Sequence, residues 1–173
     1  MMEEKFAFPE LETERLYIRV LQESDSTAVF RHFADEEVTR YMDIPPCKEL
    51  AEASEIIRFH TEDPGCRWGI FDKATGQLAG TLGYHCWVTG EQSRAEIGYD
   101  LSSGWWGRGL MTEAISPVIR FGFGDMGLEL IEATADPANE RSARLLERLG
   151  FQHKEELVDG LVYYFLPKPE AGE

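Results

Sequence analysis

Basic residues are scarce in this sequence: 17 lysines and arginines stand against 32 aspartates and glutamates, a net charge of −15. Phosphate-rich partners need basic patches, so this balance argues against nucleic acid and against an anionic membrane surface. Acidity more commonly serves solubility, and it is also compatible with a cationic substrate. Long apolar runs are missing too. The longest, LVYYFL (161–166), falls far short of the roughly 20 residues that span a bilayer. The first ten residues, MMEEKFAFPE, are acidic and lack the apolar stretch of a secretory signal. Cys47, Cys66 and Cys86 are odd in number, widely spaced and without C-x-x-C. They read as reduced thiols of a cytoplasmic protein, not a disulfide frame or zinc site. There is no H-E-x-x-H and no paired Cys/His, so no metal is expected. Without repeats, low-complexity segments or a long linker, residues 1–173 are expected to form a single domain.

What is present is a sequence whose hydrophobic period changes along its length. RLYIRVL (15–21) alternates as a first strand should. Ser24 or Asp25 can cap a helix over STAVFRHFA, whose Val29, Phe30 and Phe33 share a face. A short acidic helix over Glu36–Met42 ends at Pro45 and Pro46. KELAEASEIIRFHTED (48–63) is helical, with Leu50, Ala53, Ile56, Ile57 and His60 at spacings of three and four, and Pro64-Gly65 stops it. The period then becomes two. CRWGIFD (66–72), LAGTLGYHCWV (78–88) and SRAEIGYDL (93–101) are three strands with short turns between them, an antiparallel meander. Residues 111–126 return to helical spacing, with a kink expected at Pro117. LELIEATAD (128–136) is a strand, and Asn139 caps ERSARLLERL ahead of Gly150. FQHKEELV (151–158), the turn Asp159-Gly160 and LVYYFLPK (161–168) form a closing hairpin. The fold class is α/β (α+β): a mixed, mostly antiparallel sheet of six to seven strands with helices on its faces.

Residues 96–114, EIGYDLSSGWWGRGLMTEA, join an acidic strand end to an amphipathic helix through a turn rich in tryptophan and glycine. Neither G-x-x-x-x-G-K-S/T nor G-x-G-x-x-G is present. A helix N-terminus gathers unpaired N–H groups and the positive end of the helix dipole. Gly107 and Gly109 let the main chain approach a ligand closely. The ligand that fits best is a pyrophosphate carried by something long. A glycine-rich helix start that binds nothing, or one that binds a nucleotide phosphate, remains an alternative at this point.

The stretch resembles motif A of the GNAT superfamily of N-acetyltransferases, in its ribosomal-protein N-terminal acetyltransferase (RimJ/RimL-like) branch. E-I-G-Y is seen at Glu96–Tyr99, and W-G-x-G-x-A/G-T-E-A at Trp106–Ala114. LETERLYIR (11–19) is similar to the branch's opening T-E-R-L-x-L-R, and DPANERSARLLERLGF (136–151) to its D-x-x-N-x-x-S-x-x-L-x-E-K/R-L-G-F segment. Two positions of the phosphate loop depart from the wider family. Trp106 stands first, and Met111 stands where Ala or Gly is preferred, so its side chain must turn away from the phosphates.

The resemblance implies the GNAT fold, a sheet splayed at its centre, and acetyl-CoA as cosubstrate. The pantetheine arm would pair with the main chain of Tyr99, Asp100 and Leu101 between the third meander strand and strand 128–136. The pyrophosphate would sit on Gly107, Arg108, Gly109, Leu110, Met111 and Thr112, beside Trp106. Asn139 would contact the pantetheine amides as well as cap its helix, and Arg144 would reach the phosphates. Acetyl transfer needs a deprotonated amine, an oxyanion donor and a proton for the thiolate. Glu96 is the candidate base, the Leu101 amide the oxyanion donor, and Ser142 the proton donor. Glu155, Glu156 and Asp159 are alternative carboxylates, and His85 reads as a structural histidine on a core strand. Trp68, Trp87 and Trp105 read as core or cleft wall. The acceptor implied is a protein N-terminal amine. A small amine such as a polyamine or aminoglycoside, and a non-catalytic acyl-CoA-binding module, are the alternatives, with the chain a monomer or homodimer.

Overall fold

A computed structural model describes residues 7–42, 44–62 and 65–170. Residues 1–6, and Pro64 with its expected helix stop, lie outside them. The strands are β1 (Leu11–Glu12), β2 (Leu16–Val20), β3 (Cys66–Asp72), β4 (Leu78–Val88), β5 (Arg94–Leu101), β6 (Leu130–Ala135), β7 (Gln152–His153) and β8 (Val162–Pro167). The helices are α1 (Ser26–Phe33), α2 (Glu36–Thr39), α3 (Leu50–Glu62), α4 (Leu110–Phe123) and α5 (Glu140–Arg148). All eight strands join one sheet in the order β1-β2-β3-β4-β5-β6-β8-β7. The meander read from the sequence is present as antiparallel β3, β4 and β5.

Two differences from the expected elements have local causes. The sheet gains an eighth strand because Leu11 and Glu12 pair with Ile18 and Tyr17, a contact too short to leave a periodic signature. β7 is two residues long instead of eight. Asp159 and Gly160 both take positive φ (52° and 79°), the conformation of a tight two-residue hairpin turn, and Val158 and Leu161 exchange hydrogen bonds of 2.8 and 3.0 Å around them. Lys154 donates to Tyr163 at 3.1 Å, so the register shifts by two residues between there and Val158, and Glu155–Leu157 leave the ladder. Pro117 does not end α4, which continues to Phe123.

Strand alternation divides the sheet between two cores. On one face Ile18, Trp68, Ile70, Leu82, Tyr84 and Ile97 pack with Leu110, Ala114, Ile115 and Val118 of α4 and Leu146 of α5. On the other, Leu21 and Phe71 meet Val29 and Phe33 of α1 and Ala53 and Ile57 of α3. Helices therefore cover both faces. No described helix is long and apolar enough to cross a membrane.

Two polar contacts lock this arrangement across long sequence separations. Glu113, in the first turn of α4, accepts from Thr13 Oγ1 (2.6 Å), Arg15 N (3.0 Å) and Arg15 Nε (2.7 Å). The turn before β2 is thereby fastened to the start of α4. Burial would raise the Glu113 carboxyl, but these three donors outweigh it and hold the group below its usual value. Asp100 of β5 is buried and accepts from Arg67 Nη2 of β3 (2.6 Å), from Thr81 N (3.0 Å) and Oγ1 (2.8 Å) of β4, and contacts His32 Nε2 of α1. Burial alone would raise its carboxyl; the His32 contact, the Arg67 charge and the Thr81 hydrogen bonds reverse this and hold it well below the usual carboxylate range.

Glu113→Ala should cost about 1–2 kcal/mol, since three hydrogen bonds to a partly exposed carboxylate are lost. A melting temperature lowered by about 2–4 °C per kcal/mol is expected, and an unchanged one would contradict the clamp. Asp100→Asn keeps the shape but leaves the Arg67 guanidinium buried without its counter-charge, which should cost about 3–5 kcal/mol. Because the folded pKa is depressed, the Asp100 contribution is complete above the unfolded value of about 3.9 and declines as pH falls below it. The difference between wild type and variant in denaturant midpoints should therefore shrink from about pH 6 to about pH 3. A constant difference would show that the carboxylate charge is not what stabilises this strand.

Candidate functional site

The parallel ladder between β5 and β6 runs only from Arg94–Glu96 against Leu130–Glu132. Beyond it, β5 stays paired with β4 as far as Leu101, and β6 with β8 as far as Ala135. Each strand is satisfied on its outer side, so the inner sides can part. The opening belongs to a cleft of about 1390 Å³, which α1–α3 border on one side and α4 and α5 on the other.

The main chain of β5 alternates across this opening. Ser102 N donates to Ala79 O, and the Asp100 carbonyl points at Gly80, where an added Cβ would lie 2.2 Å from it. Asp100 thus turns both main-chain groups toward β4, which corrects the expectation that it offers a free backbone to the pantetheine arm. By the two-residue period, Ile97, Tyr99 and Leu101 turn theirs toward β6; the pairing of Glu96 with Glu132 uses the Ile97 amide, so Tyr99 and Leu101 are the residues that face the opening. The Leu101 carbonyl is already taken, accepting from Trp106 Nε1 at 2.8 Å. Its amide faces the cleft.

Side chains alternate as well. Tyr99 points to the α5 face, where its hydroxyl lies 2.5 Å from Ser142 Oγ. Ser142 is buried in the first turn of α5, and its N–H donates to the capping Asn139 Oδ1 at 3.2 Å. Burial pushes the Tyr99 phenol up to about 12, with the Ser142 hydrogen bond opposing, so it stays protonated in the neutral range. Glu96 points to the other face, opposite His85 in register, and accepts from Thr134 Oγ1 of β6 at 3.1 Å. Arg94 is not its partner; that guanidinium pairs with Glu132 at 3.4 Å.

The loop before α4 has the backbone its glycines suggest. Gly107 (φ 77°) and Gly109 (φ 72°, ψ 15°) are left-handed, and Gly109 is the N-cap of α4. No side chain caps that helix start. Gly107, Arg108 and Gly109 are exposed between Trp106 and Met111, which both line the cleft. Leu110 is buried in the core, Met111 packs partly against it, and Thr112 turns its carbonyl to Ser116 Oγ (2.7 Å). Arg15 reaches this region, its Nη2 lying 3.9 Å from where a Gly109 Cβ would be.

Glu96, Tyr99, Asp100, Leu101, Trp106, Met111, Asn139, Ser142 and Arg144 are therefore brought to one cleft. Arg144 is largely exposed and pairs with Glu140 at 3.2 Å. Glu155, Glu156 and Asp159 are exposed and do not line the cleft, which corrects their standing as alternative carboxylates. His85 stands on β4, as expected. It lines the cleft, its Nε2 accepts from Arg67 Nη1 at 2.9 Å, and its ring lies 4.9 Å from that of His60. A bulge in β4 after His85, where Cys86 takes φ 52°, sets this corner. Burial, with the charges of Arg67 and His85, pushes His60 down to about 3, so it is neutral at physiological pH. Arg67, His60 and Arg141, whose guanidinium stacks 3.7 Å over Trp106, were missed by sequence reasoning. Only the family motif spacing could have flagged Arg15 and Glu113. Trp68 is in the core, and Trp105 and Trp87 are partly buried against that cluster. Among the described residues, no group of three or more His, Cys, Asp or Glu side chains is placed to hold a metal ion.

Charge is distributed unevenly around the cleft. Arg141, Arg144 and Arg148 outnumber Asp136 and Glu140 on the α5 side, and Glu37, Glu52 and Glu55 outnumber Arg40 on the α2–α3 side. Such a cavity can take an elongated ligand that is anionic at one end, and a cation at the other.

Comparison with known proteins agrees with this geometry. Residues 15–152 match the family described as Acetyltransferase (GNAT) domain. The uncharacterized N-acetyltransferase YoaA of Bacillus subtilis is 39% identical over 149 residues, 84% of each chain. The ribosomal protein uS5-alanine N-acetyltransferase of Escherichia coli is 29% identical over 150 residues, covering 82% of this chain and 77% of its own. In fold, the chain is similar to a structure of RimL, the ribosomal L7/L12 alpha-N-protein acetyltransferase in complex with coenzyme A. The TM-score is 0.81 over 92% of this chain and 98% of that one, at 16% identity. The chain belongs to the GNAT family and is an N-acetyltransferase.

Proposed function

We propose that this enzyme transfers the acetyl group of acetyl-CoA to a protein N-terminal amine, in one ternary complex held by the β5–β6 opening. The observation that carries the reading is the opening itself: unpaired main chain of β5 on one wall, a buried hydroxyl pair beneath it and a carboxylate on the far face. The amides of Tyr99 and Leu101 would pair with an extended amide-bearing arm. The uncapped start of α4 at Gly109–Thr112, with Arg15 beside it, suits a pyrophosphate, and the α5 arginines suit further phosphate charge. The uS5-alanine N-acetyltransferase relative supports a protein amine as acceptor.

The chemistry follows from what each group can do. The amine nitrogen attacks the thioester carbonyl carbon after Glu96, acting through a water, takes its proton. The Leu101 N–H, aimed into the cleft, stabilises the oxyanion. Collapse breaks the C–S bond, and the thiolate takes a proton from Ser142 Oγ, which Tyr99 O–H replenishes; the phenol regains its proton from solvent in the cleft. His60, neutral and polar, lines the acceptor side beside His85.

Ser142→Ala and Glu96→Gln should each lower turnover about 10²–10⁴-fold, while coenzyme A affinity changes little. Glu96→Gln should also remove the acidic limb of the pH–rate profile. Calorimetry for affinity and thiol release for turnover separate the two effects; wild-type turnover in both variants would remove these roles. The carboxylates Glu37, Glu52 and Glu55 at the acceptor side should steer a cationic amine. Rates with a basic peptide should fall as salt rises above about 0.1 M, where the Debye length drops below about 10 Å, and rates with a neutral amine should not. Equal salt sensitivity, or preference for an acidic peptide, would contradict the steering.

A further inference from the structure

A second cavity, of about 420 Å³, lies by α1 and shares no lining residue with the cleft. Ser102 and His32 both line it. Ser102 follows β5 and precedes a single 3-10 turn (Ser103–Trp105), yet its side chain does not cap that turn. Its Oγ lies 2.7 Å from Nδ1 of His32 instead. Nε2 of the same ring contacts Oδ1 of Asp100.

The proton positions follow from the partners. Asp100 is an ionised carboxylate, fixed by Arg67 and by the Thr81 N–H and hydroxyl, so it only accepts. Nε2 of His32 must then carry the hydrogen in that contact. In the neutral ring Nδ1 is left as an acceptor, and the Ser102 hydroxyl is the donor to it. A hydroxyl, an imidazole poised to take its proton and a buried carboxylate orienting the ring make up the arrangement that activates a serine oxygen. A purely structural histidine needs its two nitrogens satisfied, but it does not need the satisfying hydroxyl to stand at the wall of a cavity.

We propose that Ser102, His32 and Asp100 form a second nucleophilic site, in which Ser102 takes a small acyl group from an activated ester bound in the cavity by α1. The cavity walls fit that class of donor. Ala28 and Leu78 offer apolar contact for a short acyl chain. Arg31, which has no ion-pair partner among the described residues, offers a cation to a departing oxyanion. In the step, Ser102 Oγ bonds to the ester carbonyl carbon as its hydrogen passes to His32 Nδ1. The bond from that carbon to the leaving oxygen then breaks, and the leaving oxygen takes the proton from Nδ1. The products are an ester on Ser102 and a free alcohol; Asp100 stays ionised throughout. Water entering by the same route regenerates the serine and releases the acid. The cavity shares no lining residue with the cleft, and Asp100, which borders the cleft, enters this site only through the His32 ring.

The test uses the full chain, 4-nitrophenyl acetate as the probe and peptide mass mapping. Ser103 is exposed and adjacent, with no imidazole partner among the described residues, so it is the internal control. Acetyl should accumulate on Ser102 at least about tenfold faster than on Ser103, and Ser102→Ala should abolish the burst of nitrophenolate. His32→Gln, checked for a cooperative melt, should slow Ser102 labelling about 10²-fold. Should that variant not fold, the Ser102 to Ser103 ratio in the wild-type protein decides alone. Equal labelling of the two serines, or wild-type labelling in a folded His32→Gln protein, would overturn the proposal.

Discussion

The parallel pairing of β5 with β6 stops after Glu96 and Glu132, and the arrangement of the cleft depends on that interruption. Two strands can diverge cheaply only if each keeps a partner on its other side, and here β4 and β8 serve as those partners. What remains unsatisfied is the inward-facing main chain of β5. Buried N–H groups seek a partner, and under the proposed function the opening serves as a template for an extended ligand. The Trp106 indole closes the Leu101 carbonyl and leaves its amide, which selects for an acceptor atom at that point.

Asp100 explains why β5 holds its line where β6 leaves it. Its carboxylate ties β5 to β3, β4 and α1 at once, on the face opposite Tyr99. The strand can then present Tyr99 to α5 and Glu96 to β6 with little freedom in either. Glu113 does the equivalent for the loop, fixing the start of α4 against the turn at Thr13–Arg15. The two TE-containing motifs, distant in sequence, are in contact in the fold. Charge follows the same division, with arginines of α5 and carboxylates of α2 and α3 on opposite sides of the cavity.

Much of this was legible in the sequence because it is periodic or local. Strand alternation marked the meander, Asn139 and Gly150 bounded α5, and the Asp-Gly turn closed the hairpin. The E-I-G-Y and T-E-A motifs, through the family resemblance, pointed to the strand end and helix start that border the cleft. What escaped is non-local. Asp100 was read as backbone because nothing near it in sequence announces His32, Arg67 or Thr81. A lone histidine such as His85 gives no sign of Arg67 and His60 beside it, since those arrive from β3 and α3. The carboxylates of the closing hairpin drew attention through composition, but the two-residue register shift carries Glu155 and Glu156 out of the ladder.

Hydrogen exchange with and without coenzyme A tests the central claim most directly. Protection on binding should concentrate in the amides of Tyr99 and Leu101 and in residues 107–112. The amides of Gly98 and Asp100, already turned to β4, should change little. Protection spread evenly along β5, or confined to the cavity by α1, would contradict an account in which the parted strands hold the ligand.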